Sequence, residues 1–221
     1  IRDKNSVEKI ETRKTEGNQK IPAYSFTVSM KGRAKGENVV VEVSKHGGKV
    51  IYLLDNRGYS SPTIDAEKAV DIGKKYLEKL GYKDMKETYK MSYEDNVIVN
   101  YIHIVDDTSV YPEQIKVKIA LDDGSITGLE AEKYLVAFDS DRKIPTPKIT
   151  ESEAAKAVSK RLKVNSVKLA IVPTETNKEV LCYEFAGTNH NSDYIVYVNA
   201  ETGKTQKILK VINTPNGKLT I

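Results

Sequence analysis

Three glycines recur at a nearly constant interval and in the same surroundings, and this periodicity constrains the chain more than any other feature. Gly48, Gly124 and Gly203 stand 76 and 79 residues apart. Each follows a short polar run. The flanks are Val41-Glu42-Val43-Ser44 before Gly48, Val117-Lys118-Ile119-Ala120 before Gly124 and Tyr197-Val198-Asn199 before Gly203. Alternation of apolar and polar residues marks half-buried strands. A glycine between two such strands supplies the positive φ of a tight hairpin turn. Recurrence at this period indicates one small unit used three times.

A helix precedes the second and third hairpins. Ile64-Asp65-Ala66-Glu67-Lys68-Ala69-Val70 aligns with Ile149-Thr150-Glu151-Ser152-Glu153-Ala154-Ala155 at an offset of 85 residues. Asp65 is placed to cap the first helix, and Thr150 and Glu153 have capping-box spacing. The apolar stripe Ala66, Ala69, Val70, Gly73, Tyr76, Leu77, Leu80 predicts a helix over Asp65–Leu80 stopped by Gly81. The shorter stripe Ala154, Ala157, Val158, Leu162 predicts a helix over Thr150–Lys163. The small residues would let each helix lie close on a sheet.

Strand-like runs complete each unit. They lie near Val7–Lys14, Ala23–Ser29, Val39–Ser44 and Lys49–Asp55 in the first, Lys86–Tyr93 and Asn96–Val105 in the second, and Ser166–Val172 and Val180–Phe185 in the third. The extra residues of the second unit are expected in Asp106–Ser109 and Tyr111–Glu113. No helix precedes the first unit. The chain begins at Ile rather than Met, so it reads as a fragment whose first helix lies ahead of Ile1, with Ile1–Asn5 as remnant or link. The expected architecture is α+β: three tandem modules, 1–58, 59–147 and 148–221, each an antiparallel sheet packed by one helix, the first helix missing. The joins Asn56–Pro62 and Lys143–Pro147 contain proline and read as stiff spacers.

Apolar residues make up 39% and charged residues 30%, which favours a soluble globular chain. No run approaches the roughly 20 apolar residues of a spanning helix. Net charge is about +5, −5 and +4 over 1–57, 58–147 and 148–221. A nucleic-acid binder would concentrate basic residues on one stripe, so none is expected as a partner. The basic–acidic–basic order reads either as ordinary surface charge or as complementarity between modules or with a partner.

Motifs for chemistry are missing. His46, His103 and His190 have no His or Cys three or four residues away, and Cys182 is the only cysteine, so zinc motifs and an intramolecular disulfide fail. Cys182 lies in an alternating apolar run and reads as a buried structural thiol. His46 and His190 lie in polar turns, and His103 alternates with apolar strand residues. Asp106-Asp107, Asp122-Asp123 and Asp139-Ser140-Asp141 lack calcium-loop spacing and read as turn formers. There is no nucleophile elbow, P-loop or dinucleotide fingerprint. The expected set of site residues is therefore structural: Gly48, Gly124 and Gly203, with no catalytic, metal or cofactor residue and no assignable partner contact. Thirteen tyrosines against three phenylalanines, among them Tyr24, Tyr101, Tyr183, Tyr194 and Tyr197 in strand runs, suit either core packing or a protein-contact face.

A capped Ala-rich helix, several strands and the hairpin Asn199-Ala200-Glu201-Thr202-Gly203-Lys204 resemble the PepSY domain. Three such units ending in Lys210–Thr220 resemble the YpeB family of spore germination proteins, over essentially the whole chain. The resemblance implies a non-enzymatic scaffold with an upstream membrane anchor, located in the spore outside the inner membrane. It also implies a partnership with the spore-cortex lytic enzyme SleB, which family members stabilise and are proposed to restrain until cortex hydrolysis. Single PepSY units occur in metallopeptidase propeptides, so the alternative is a general protease inhibitor. A cortex-degrading enzyme with an unseen site is the third class.

Overall fold

Period-two alternation produces strands over most of the chain. The computed structural model describes residues 4–13, 20–176 and 178–221. The strands β1 (Val7–Arg13), β2 (Ala23–Met30), β3 (Asn38–Ser44) and β4 (Val50–Asp55) form a first antiparallel meander. A second comprises β5 (Met85–Ser92), β6 (Asn96–Val105), β7 (Thr108–Ala120) and β8 (Ile126–Glu130). A third comprises β9 (Lys163–Pro173), β10 (Glu179–Asn189), β11 (Ser192–Asn199) and β12 (Thr205–Thr214), followed by β13 (Gly217–Thr220). Lys4–Ser6 is a 3-10 turn, while Ile1–Asp3 of the expected remnant and Lys14 of the first expected strand lie outside the described residues.

The meanders are not separate sheets strung on spacers. Hydrogen bonding joins the 13 strands of the described residues. β4 pairs antiparallel with β8, so that Leu53 faces Leu129. Directly opposed residues share a face, and one apolar row therefore runs Phe26–Val41–Leu53–Leu129–Val117–Val99 across this first seam. The second seam has two parts. Ser109 and Val110 of β7 pair in parallel with Ala170 and Ile171 of β9, and Gly217 of β13 meets Met91 of β5. The pairings β5–β6–β7–β9–β10–β11–β12–β13–β5 thus close a circuit.

The helix α1 (Ala66–Lys79) forms as its stripe requires. The Asp65 carboxylate accepts from the Lys68 N–H, and Gly81 ends the helix at φ +86°. Ala69, Gly73 and Leu77 are buried against Val97, Val99, Tyr101, Ile115, Val117 and Ile119. Burying each large aliphatic side chain contributes roughly 1.5–3 kcal/mol. The Tyr101 hydroxyl donates 2.7 Å to the Val70 carbonyl, and a Cβ at position 73 would stand 2.5 Å from it. Glycine at 73 is therefore a requirement of close approach.

The third-unit helix differs from expectation. Its capping box forms, but α3 runs only over Glu151–Ala154 with a 3-10 turn at Ala155–Ala157. Val158 is extended, and β9 begins at Lys163. The reason is packing: Ala154, Val158 and Leu162 all reach the cluster around Tyr183, Phe185, Val196 and Val198, so nothing further is gained by continuing the helix. Between β8 and the second join lies a helix the apolar pattern did not mark, here numbered by chain position as α2 (Glu132–Ala137).

Both helices are seated alike. The N–H groups of Thr63 and Ile64 donate to Leu121, and those of Lys148 and Ile149 to Ala200. Gly124 and Gly203, both at φ +71°, turn beside Ile64 and Ile149 respectively. Gly48 turns at φ +60° with nothing within 4 Å of where a Cβ would stand, and α2 touches the first meander at β4.

Candidate functional site

Beside the β4–β8 pairing, a guanidinium braces the first seam. Arg57, in the first join, is bidentate on Asp122 at 2.7 and 2.8 Å and also reaches Asp123 and Ser125. The Ser60 N–H donates to the same Asp122 carboxylate at 2.9 Å, and the Arg57 guanidinium lies over the Tyr59 ring. These bonds hold the Asp122 carboxyl well below the usual carboxylate range. Asp122 and Asp123 are turn residues, as their sequence implies, but they also lock the basic first segment to the acidic second.

The second seam is built around a bulge. Ile102 pairs with Gln114 and His103 with Val110, so Tyr111, Pro112 and Glu113 are extra residues on β7. The sequence placed the surplus in Asp106–Ser109 as well as in these three, but Thr108 and Ser109 pair regularly with Val105 and Ile104. Pro112 cannot donate a ladder hydrogen bond, which suits a bulge. At this point β7 exchanges β9 for β8 as its neighbour. The bulge sends its two polar side chains to opposite ends of the seam.

Glu113 is 0% exposed and receives His103 Nδ1 on one oxygen and Arg142 Nε, at 2.5 Å, on the other. Arg142 then spans to Glu179 on β10 at 2.6 and 3.2 Å and donates to the Ala137 carbonyl. These bonds, that to Glu179 first, raise its pKa. One side chain just ahead of the second join thereby ties the second meander to the third. At the other end the Tyr111 hydroxyl donates 2.7 Å to buried Glu184, whose other oxygen faces Lys168 at 3.3 Å. Tyr111 packs edge-on to Tyr197 and joins the cluster of Ala170, Val172 and Cys182. Burial, and then the Glu184 charge, push both phenols well above their usual range.

Beside the Glu113 cluster lies an open groove of about 980 Å³. Its floor is aromatic: Tyr134 and Phe138 stack at 5.0 Å, with the His103 ring 6.0 and 5.8 Å from them. Phe138 remains 43% exposed. Asp84, Asp106, Asp107 and Asp139 stand on the rim with Lys74, Lys83 and Lys86. Asp84, Asp106 and Asp107 adopt positive φ, which fits their turn-forming role. Among the described residues no three His, Cys, Asp or Glu side chains are grouped to hold a metal ion. His46 and His190 are exposed in turns, and Cys182 is buried. His103 was legible only as a strand residue; its tie to Glu113 and Arg142 joins positions 10 and 39 residues away, and no local motif marks it.

The family model described as YpeB sporulation, PepSY1 and PepSY2 domains matches residues 1–145. This chain belongs to the YpeB family. A second model, peptidase propeptide and YPEB domain, matches residues 148–209. Sporulation protein YpeB of Bacillus subtilis (strain 168) is 32% identical over 190 residues, covering 85% of this chain and 42% of that protein. Its counterpart in Halalkalibacterium halodurans is 32% identical over 171 residues, covering 77% of this chain and 38% of that protein. The chain thus spans about four tenths of the length of these YpeB relatives. The solved Bacillus megaterium YpeB C-terminal domain superposes with a TM-score of 0.81 at 27% identity, covering 95% of this chain and 92% of that one. The α+β, sheet-rich fold with few helices is therefore that of a YpeB C-terminal domain.

Proposed function

We propose that this chain is the non-enzymatic regulatory part of a spore germination protein, built of three PepSY-like modules (1–58, 59–147, 148–221), that binds the cortex-lytic enzyme SleB, stabilises it and restrains it until cortex hydrolysis. It works in the spore outside the inner membrane, held by an anchor on another part of the protein. The observation that carries this reading is how the buried charges are used. Asp122, Glu113 and Glu184 each face a cation or a hydroxyl within a seam, where they fix the relative placement of meanders. Such an arrangement suits a rigid composite surface more than a reacting centre. The acidic second segment, with Phe138 exposed in its groove, is the part of that surface assigned to the enzyme.

The test is binding of the whole chain to immobilised SleB. Association should slow as added salt shortens the Debye length to roughly 8 Å and below. Phe138→Ala should weaken the complex about tenfold, a larger effect than the loss of its stacking on Tyr134 has on the thermal melt. Absence of binding, or binding indifferent to both changes, sinks the proposal. A second reading follows from the match of residues 148–209 to a family that includes peptidase propeptides: inhibition of a protease. A panel of purified proteases separates the two, since slowed peptide hydrolysis without SleB binding favours the inhibitor.

A further inference from the structure

One end of the third meander carries cations that no ion pair neutralises. The stretch Ala154–Thr174 holds five Lys and Arg side chains and no carboxylate. Lys168 is taken by Glu184. Lys156, Lys160, Arg161 and Lys163 are exposed, and among the described residues none of them forms an ion pair. The fold fixes where they stand. The Leu162 N–H donates 2.9 Å to the Ser159 carbonyl, closing a turn with Lys160 and Arg161 at its tip. Val158 and Leu162, on either side of that tip, are anchored in the cluster around Tyr183 and Phe185. A Cβ at Gly187 would stand 2.5 Å from the Lys163 carbonyl, so β10 lies tight against the exit of the turn. Lys163 pairs with Thr188, and exposed His190 turns the chain two residues further on.

We infer that this end docks on the surface of an anionic bilayer, with Lys160, Arg161 and Lys163 set against lipid phosphates. Basic side chains close to such a surface are drawn by its negative potential. Three observations select a bilayer among anions. A turn tip is convex, so it suits a plane of phosphates better than one small anion, which needs a concave cradle of N–H groups. Among the described residues the exposed aromatic rings are Tyr24, Tyr93 and Phe138, which lie outside the third meander, so this end offers no ring to stack on a nucleic-acid base. Val164 follows Lys163 and is 41% exposed, an aliphatic group placed to enter the headgroup layer. The basic end belongs to the third meander and the aromatic groove to the second, so bilayer binding and enzyme binding are separate properties.

Co-sedimentation of the intact chain with lipid vesicles at low salt tests the inference. Vesicles of phosphatidylglycerol and phosphatidylcholine in equal parts should carry the chain down, and phosphatidylcholine alone should not. Added salt should weaken the binding as it shortens the Debye length. Lys160→Gln and Arg161→Gln should each weaken it about fivefold, and the two together should remove detectable binding, with the melt unchanged. Lys74→Gln/Lys75→Gln takes the same charge from exposed sites on α1 and should leave binding close to that of the parent. The sequence contains no tryptophan, so Val164→Trp supplies a single reporter, whose emission should shift to the blue on the vesicles. No binding to the anionic vesicles up to ~10 mM lipid overturns the inference. So does an equal loss from the α1 pair, which would mean net charge alone, or a reporter emission that does not move. Binding to soluble polyphosphate as tight as to the vesicles overturns it too, because the occupant would then be a free polyanion.

Discussion

Replacing Gly73 by alanine sets two effects against each other. In an isolated helix the change is favourable by about 1 kcal/mol, because glycine has the greater backbone freedom to lose. Here the added methyl would lie 2.5 Å from the Tyr101 hydroxyl and 3.3 Å from both Tyr101 Cζ and Ile119 Cδ1. Overpacking of this kind costs roughly 1–3 kcal/mol. If Tyr101 retreats instead, its hydroxyl loses the Val70 carbonyl inside a buried cluster, a cost of about 1–3 kcal/mol in place of the overpacking. By either route the net expectation is a loss of roughly 0–2 kcal/mol, lowering Tm by about 2–4 °C for each kcal/mol in a chain of this size. Tyr101→Phe alone should cost about 1 kcal/mol, for one hydrogen bond. In the double variant the hydroxyl that clashes is gone, so the combined loss should fall short of the sum by at least about 1 kcal/mol. Urea melts of the four proteins of this cycle decide the matter. A stabilised Gly73→Ala variant, or strict additivity, would refute the close-approach argument.

Arg142→Gln leaves a fully buried carboxylate with His103 as its remaining partner and should cost about 3–5 kcal/mol; limited proteolysis should also cut the released second join faster. Acidification should act on the first seam: the Asp122 carboxyl is held low by Arg57, so its contribution is present above the ordinary carboxylate range and is lost as pH falls through the folded pKa. Thermal melts of Asp122→Asn should therefore show a shallower loss of stability than the parent below about pH 4. Burial pushes the Cys182 thiol up to about 12, so a thiol reagent at neutral pH should leave the native chain untouched and label it only in denaturant.

Helix caps and hairpin turns were the most legible features, because they rest on local chemistry. Asp65, Gly81, Thr150 and Glu153 cap or stop helices through bonds within four residues, and the hairpin glycines act through their own φ. The seams were not legible. Leu53 meets Leu129 and Tyr111 meets Glu184 because edges of separate meanders happen to be complementary, and no spacing encodes that. The shortened third helix shows the same limit: Val158 continues the helical stripe on paper, but it reaches its cluster equally well from an extended backbone. Of the candidate site, the surplus Tyr111–Glu113 could be read by counting residues between repeats, whereas its role as the anchor for Arg142 required the fold.

The two seams also set an order of events during synthesis. Leu53 must wait for Leu129, 76 residues later, before β4 gains its second neighbour. Met91 must wait for Gly217, 126 residues later, before the circuit of strands can shut. A nascent chain emerging from the ribosome therefore carries an open β4 edge while 76 further residues are made, and an open β5 edge while 126 further residues are made. Distant pairings of this kind slow folding and leave edges available for mispairing in the interval. Gly217 sits at that last junction with φ +147°, where a Cβ would collide with the Lys90 carbonyl, so the closing step of assembly depends on a residue with no side chain.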